Sequence, residues 1–365
     1  MRFSGFDDEW KTYKLKDLLH NKSSSISINQ LDDNVGNYPL YGASGFLKCI
    51  DFYEMDSDYI SIVKDGSGVG NISFHEKNTS VVNTSQYILP KENLNIHFIF
   101  YLLQTINLNK YKTGSTIPHI YFKDYSIEKV KIPKYDEQKK IGILLKNLDA
   151  KIEILDNKLQ MCQNFKKYLM QQIFTQKLRF DFSDEWNYVN FNNIFKSAST
   201  KKYQIKSAEI MANGDFEVID QGKDEIAGYF NDKNKLCYEL PIIIYGDHTT
   251  FVKFRDKPFI VGADGVKLLL PKIDSNLKYL FYALEYFNIK PEGYKRHFSI
   301  IKKIKLPIPS LEEQNEISEM FSSVDNKLKY TQKQLQETKK FKKGLLQQMF
   351  VVQLILSLLQ NKKHI

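Results

Sequence analysis

The chain repeats itself at a distance of 176 residues, which restricts it to folds made of two related halves. Glu9-Trp10 returns as Glu185-Trp186, Glu137-Gln138 as Glu313-Gln314, Phe165-Lys166-Lys167 as Phe341-Lys342-Lys343, and Gln171-Gln172 as Gln347-Gln348. Between 137–174 and 313–350, 14 of 38 positions are identical without a gap, so the halves arose by duplication. Each half opens at its Trp, continues through a mixed segment, and closes in a segment of different character. With 365 residues in all, two domains are expected, and one small module is excluded.

The closing segments read as long helices. From Ile141 the slots 141, 145, 148, 152, 155, 159, 162, 166, 169 and 173 alternate steps of four and three, and all but Lys166 are apolar. That is a coiled-coil seam. The second half carries Ile317, Phe321, Val324, Leu328, Leu335, Leu345 and Met349 in the matching slots, with Thr331, Thr338 and Lys342 interrupting. Lys166 and Lys342 fall in the same slot, each beside a phenylalanine. Either the seam shifts locally onto Phe165 and Phe341, or each lysine reaches past its own stem. Ser310 with Glu313 has capping-box spacing after Pro307 and Pro309, and Pro133 and Asp136 mark the first helix start.

Chain order then sets an expected geometry. The first helix must run from one mixed segment toward the other, and the second must return. Two antiparallel helices of about 38 residues would form a rod of roughly 55–60 Å, with globular parts near its ends and the two chain termini close together. The expected layout is a globular segment at 1–133, a long helix at 134–178, a second globular segment at 179–309, a second long helix at 310–350 and a tail at 351–365. The tail's apolar run has no counterpart in the first half.

The mixed segments show short β-type runs at 58–63, 71–74, 80–89, 240–245 and 259–261, and helical runs at 93–104 and 276–286, so each is an α+β core. Their middles match poorly, and they realign at Ile132-Pro133 and Ile308-Pro309: one duplicated frame holding two divergent inserts. Aromatics at 13% and 17 Gly against 25 Phe and 22 Tyr argue against disorder.

Enzymatic readings find no anchor. Asp65-Gly-Ser-Gly-Val-Gly70 looks superficially like a nucleotide loop, but Asn71-Ile-Ser-Phe74 reads as a strand, where such a loop needs a helix. It is read instead as a tight turn or a site of close backbone approach. Asp247-His248 lacks further ligand spacing, and no nucleophile-elbow pattern occurs. Cys49, Cys162 and Cys237 make neither a disulfide framework nor a zinc ribbon, which points to a reducing compartment. No run approaches a membrane span, and the first residues lack a signal peptide's apolar stretch, so a cytoplasmic protein without membrane attachment is expected.

A net charge of +9 makes a polyanion such as double-stranded DNA the first partner to test. Polar, basic stretches supply the candidate DNA-binding residues: Lys64, Ser67, His75, Lys77, Lys112, Thr113, Ser115, Thr116 and His119 in the first half, and His248, Thr249, Thr250, Lys253, Arg255, Lys267, Lys295, Arg296 and His297 in the second. Lys and Arg neutralise phosphate, while His, Thr, Ser and Arg reach base edges. The competing reading is a coiled-coil scaffold whose globular ends bind protein.

The organisation resembles the DNA-specificity subunit of type I restriction-modification systems over almost the whole chain. The resemblance rests on Asp8-Glu-Trp10 with Asp184-Glu-Trp186, on Glu137-Gln138 with Glu313-Gln314, and on Leu148-Asp149 with Val324-Asp325. It rests further on Leu169-Met-Gln-Gln-Ile-Phe174 with Leu345-Leu-Gln-Gln-Met-Phe350, on Gly36-Asn-Tyr-Pro-Leu-Tyr-Gly42, and on Tyr245-Gly-Asp-His-Thr249. It implies two target-recognition domains joined by two long antiparallel helices, each domain reading half of a split DNA target across a fixed spacer. It implies a subunit that is no enzyme and holds no cofactor. It further implies two methyltransferase subunits and restriction subunits that would dock largely on the helical regions and neighbouring faces and bring S-adenosylmethionine, ATP and Mg.

Overall fold

The computed structural model describes residues 2–31, 34–262, 264–293 and 295–351, with residue 351 described through its backbone alone. The expected tail otherwise lies outside the described residues. The chain divides into two compact units, Met1–Asp156 with Lys333–Ile365, and Asn157–Gln332, so each boundary falls inside a long helix.

The first unit runs through β1 (Lys11–Lys14), α1 (Leu15–Leu18), β2 (Leu19–Ser23), β3 (Tyr38–Gly42), β4 (Gly45–Ile50), β5 (Tyr59–Val63), β6 (Ile72–His75), β7 (Ser80–Val81), β8 (Ser85–Pro90), α2 (Ile96–Gln104), α3 (Phe122–Tyr125) and β9 (Lys129–Ile132), and enters α4 (Tyr135–Phe174). The second runs through β10 (Asn187–Asn190), α5 (Phe191–Ile194), β11 (Phe195–Ala198), β12 (Gln204–Ile205), β13 (Phe216–Ile219), β14 (Gly228–Phe230), β15 (Ile242–Gly246), β16 (Val252–Arg255), β17 (Ile260–Gly262), β18 (Val266–Pro271), α6 (Leu277–Tyr286), α7 (Phe298–Ile301) and β19 (Lys305–Ile308), and enters α8 (Leu311–Leu346).

The duplication reaches further in three dimensions than in sequence. The ribbon β1–β9 has its copy in β10–β19 with the same registers, Lys11 opposite Ile132 and Asn187 opposite Ile308. The four-stranded sheet β2-β8-β5-β6 matches β11-β18-β15-β16, and β4-β3-β7 matches β14-β13-β17 with β12 added at the edge. The middles that look unrelated in sequence therefore share one strand order. The run at 80–89 differs from its expectation: it forms two strands, β7 beside β3 and β8 between β2 and β5. Ser85 N–H donates to Val82 O at 2.9 Å, a turn that carries the chain from one sheet to the other.

Each globular core closes around the repeated motifs. In the first unit Trp10 packs edge-on against Phe98 and Phe350, with ring centroids 6.0 and 6.3 Å apart. The opening of the chain thus meets the end of the second long helix, as expected. Glu137 is buried and receives a forked pair of hydrogen bonds from Arg2, at 2.9 and 2.7 Å. Its copy Glu313 is clasped likewise by Arg179 and also accepts the Trp186 indole N–H at 2.9 Å. The capping box at Ser310 is therefore half made. Ser310 Oγ accepts the Glu313 N–H, but the Glu313 carboxylate is committed to Arg179 and Trp186. The neighbouring glutamines cap other elements. Gln138 accepts the Asn95 N–H ahead of α2 and donates to Pro133 O, and Gln314 does the same for Asn276 ahead of α6 and Pro309 O.

Every seam slot of both long helices is buried or half-buried. Thr331 and Thr338 sit inside, their hydroxyls donating to Lys327 O and Gln334 O of their own helix. The lysine slot resolves toward a reaching lysine: Phe165 and Phe341 point outward, 53% and 55% exposed, while the Lys166 and Lys342 side chains are only 14% and 16% exposed. In the first unit Asp149 pairs with Lys342 and Asp156 with Lys339, an order that runs antiparallel. Among the described residues no helix is long and apolar enough to cross a membrane.

Candidate nucleic-acid interface

In the first unit the candidate surface begins where β5 ends. Gly66 and Gly70 hold the left-handed conformation, φ +88° at both, which turns the chain back into β6. A Cβ on Gly68 would lie 2.9 Å from Ala43 Cβ, so the loop approaches the β3–β4 turn as closely as a backbone can. On its other side a Cβ on Gly70 would meet Lys112 Cε at 3.7 Å. The glycine turn leads into a strand, β6, and not into a helix, as the sequence led one to expect. Thr113 and His119 exchange backbone hydrogen bonds of 2.9 and 2.8 Å, closing a small loop that projects Ser115 and Thr116. That loop is fastened to the glycine turn by His119 Nδ1 to Asp65 Oδ1 at 2.6 Å and by Gly66 N–H to Pro118 O at 3.0 Å. The structure thus gathers Lys64, Ser67, Lys112, Thr113, Ser115, Thr116 and His119 at one end of the sheet.

Two first-half candidates lie elsewhere. Lys77 is exposed at the opposite end of the β5–β6 hairpin, where its backbone N–H donates to Asp58 Oδ1. His75 is a core residue: it is buried, hydrogen-bonded to Ser61 Oγ at 2.8 Å and stacked on Tyr59. Burial pushes its imidazole down to about 4, so it is neutral at ordinary pH.

The second unit repeats the scheme with different chemistry. Beyond β15, Asp247 is buried. Its N–H donates to Gly265 O, its carbonyl accepts the His297 N–H, and its carboxylate accepts the Phe298 N–H at 2.8 Å, with Lys267 Nζ 3.7 Å away. The His248 N–H and the Thr249 hydroxyl both donate to Gln221 on the β13–β14 connection. Lys295 and Arg296 are exposed on the loop before α7, Lys295 paired with Glu292. Asp247, His248, Thr249, Lys267, Lys295 and Arg296 therefore come together.

Four candidates of this half face inward instead. His297 is fully buried, accepting the Glu292 N–H at 2.9 Å. Thr250 is buried in the left-handed conformation at φ +62°, its carbonyl accepting from Asn288. Lys253 and Arg255 belong to β16 rather than to a loop. Lys253 Nζ donates to Asp220 O and Asp224 O, and Arg255 donates to Glu225 O and pairs with Glu217 at 3.2 Å. Burial lowers the Lys253 ammonium's affinity for its proton. These two cations brace the 220–225 connection.

In both units, then, an aspartate just past the central strand is tied to a histidine on the loop before a short helix: Asp65 with His119, Asp247 with His297. The sequence reading missed this pairing, and it missed the part played by the β3–β4 turn and by Gln221. Only the recurrence of Asp after each apolar run hinted at it.

These two polar clusters recur in one frame, and comparison with known proteins places the frame. The family model described as the type I restriction modification DNA specificity domain matches residues 7–162 and again 183–340. The type I restriction enzyme MjaVIII specificity subunit of Methanocaldococcus jannaschii is 22% identical over 93% of this chain and 91% of its own length. The type I restriction enzyme EcoDI specificity subunit of Escherichia coli is 26% identical over 56% of this chain and 46% of its own. The crystal structure of a type I restriction-modification S subunit from M. genitalium shares the fold, with a TM-score of 0.73, 17% identity and coverage of 95% and 97% of the two chains. Since the family model fits each half separately and together spans most of the sequence, the chain belongs to the family of type I restriction-modification DNA specificity proteins.

Proposed function

We propose that this chain is the subunit that gives a type I restriction-modification complex its DNA-sequence specificity. It binds a bipartite duplex target, one half-site for each unit, with a spacer of fixed length between them. The supporting observation is the recurrence of a basic and hydroxyl-rich cluster at the same place in both units, built from different residues. Equal position with unequal chemistry is what two readers of two different half-sites require. The chain itself performs no chemistry and holds no cofactor. Methylation and cleavage belong to the partner subunits.

Partner docking falls to the outer faces of the long helices. Phe165 and Phe341 are equivalent by the repeat and equally exposed. Met161 and Tyr168 extend the first of these patches. Two equivalent patches favour two methyltransferase subunits.

Titration of the chain, assembled with its methyltransferase subunits, against labelled duplexes tests the reading. Binding to the selected bipartite duplex should far exceed binding to a scrambled one, and log affinity should fall linearly with log salt. Equal affinity for both duplexes would refute it.

A further inference from the structure

On the proposed function rests a more specific assignment, for a residue outside all the candidates above. The β3–β4 hairpin turns at Ala43 and Ser44, with Gly45 at φ +116°. Its returning strand carries Phe46, 62% exposed, and Leu47, 40% exposed. Gly68 brings this turn against the glycine loop, and Gly70 brings that loop against Lys112, so hairpin, glycine loop and basic loop form one continuous surface. The Phe46 ring is held edge-on by Tyr41, centroids 6.1 Å apart, and Tyr41 in turn lies 4.6 Å from the His75 ring in the core. An aromatic side chain is thus presented to solvent from a supported position, on the strand that returns from the turn packed against the glycine loop.

The major groove of B-DNA admits a two-stranded β-ribbon, and the one apolar group that the four bases show there is the thymine methyl. An exposed phenylalanine on a surface that also carries the exposed Lys112 fits a partner that is anionic at its rims and apolar at one point. We propose that Phe46 reads a thymine methyl group in the half-site bound by the first unit. In the second unit the corresponding strand β14 holds Tyr229 and Phe230 half-buried, and the connection before it exposes Lys223, Asp224 and Glu225, so no exposed aromatic side chain stands there among the described residues and that half-site serves as an internal control.

The test uses the chain with its methyltransferase subunits and the target selected by the wild-type complex. Each thymine is replaced singly by deoxyuridine, which deletes only the methyl group. The wild-type complex should lose about tenfold in affinity at one thymine of one half-site. Phe46→Ala should be weaker by a similar factor on the intact target, show no further loss at that deoxyuridine, and keep the wild-type salt dependence and melting temperature. Phe46→Tyr should keep the response, while Lys112→Gln should reduce the salt slope by about one and leave the deoxyuridine response alone. Identical deoxyuridine responses in wild type and Phe46→Ala, a half-site without thymine, or losses spread over both half-sites would overturn the assignment. A wild-type complex with no sequence preference would instead overturn the proposed function on which it rests.

Discussion

Lys342 Nζ lies 2.5 Å from Asp149 Oδ1, joining the end of the second long helix to the start of the first. The same lysine sits 5.0 Å from the Tyr101 ring, and the Tyr101 hydroxyl donates to the other Asp149 oxygen at 2.7 Å. The duplicate is Lys166 with Asp325 at 2.9 Å, Tyr282 donating to that aspartate at 2.8 Å, and Glu285 added. Burial opposes the Lys166 charge, but the carboxylates of Glu285 and Asp325 outweigh it and raise its affinity for the proton. A charged residue in an apolar seam favours the one register in which it finds its partner.

Lys342→Met should therefore destabilise the first unit by about 1–2 kcal/mol, because Asp149 keeps Tyr101 and some solvent. A cycle with Asp149→Asn, read by equilibrium denaturation, should show coupling of about 1 kcal/mol. Additive single effects would show that the pair contributes nothing.

The two tryptophans make a second contrast. The Trp186 N–H donates to buried Glu313, whereas the Trp10 N–H has no acceptor among the described residues. Trp186→Phe should cost about 1–2 kcal/mol and Trp10→Phe close to nothing beyond the volume change. Denaturation of each variant followed by far-ultraviolet circular dichroism, which reports both units, decides it.

His75 sets a pH dependence. Its folded value of about 4 lies below the ordinary 6.5, so the unfolded chain takes up a proton that the folded unit refuses. The stability contribution is complete above about 6.5 and is lost as the pH falls toward 4, by up to about 3 kcal/mol. Urea denaturation followed through Trp10 in a Trp186→Phe background should show this slope. His75→Gln should flatten it between pH 6.5 and 4.

Helix length should govern the spacer. Removing one heptad from both helices, for example 153–159 with 329–335, keeps Asp149, Asp325 and both lysines. The heptad pair 146–152 and 322–328 would delete both aspartates. The shortened complex should select the same half-sites with a changed spacer, as read by sequencing bound members of a random duplex library.

The long helices were legible because an apolar seam leaves a period that survives duplication, even where Thr331 or Lys342 interrupts it. The shared strand order of the two inserts was not, because a strand needs only a short apolar run, and β5 and β15 satisfy that with unrelated residues and shifted spacing. The candidate surface was half legible. Residue type marks a side chain as polar but not as exposed, so His75 and His297 read as surface residues although Ser61 and the Glu292 backbone hold them inside. Lys253 and Arg255 read as loop residues for the same reason, although they lie on β16 and donate to backbone carbonyls some thirty residues away. Phe46 escaped notice because an exposed aromatic has no signature until the fold shows it outside the core.

The most direct test is to map methylated adenines in a genome that carries this chain with its partner subunits. Two short defined blocks of different sequence, separated by an unspecified stretch of constant length, are the predicted result. A single continuous recognition block, or a gap that varies from site to site, would contradict a chain that reads DNA with two unlike heads.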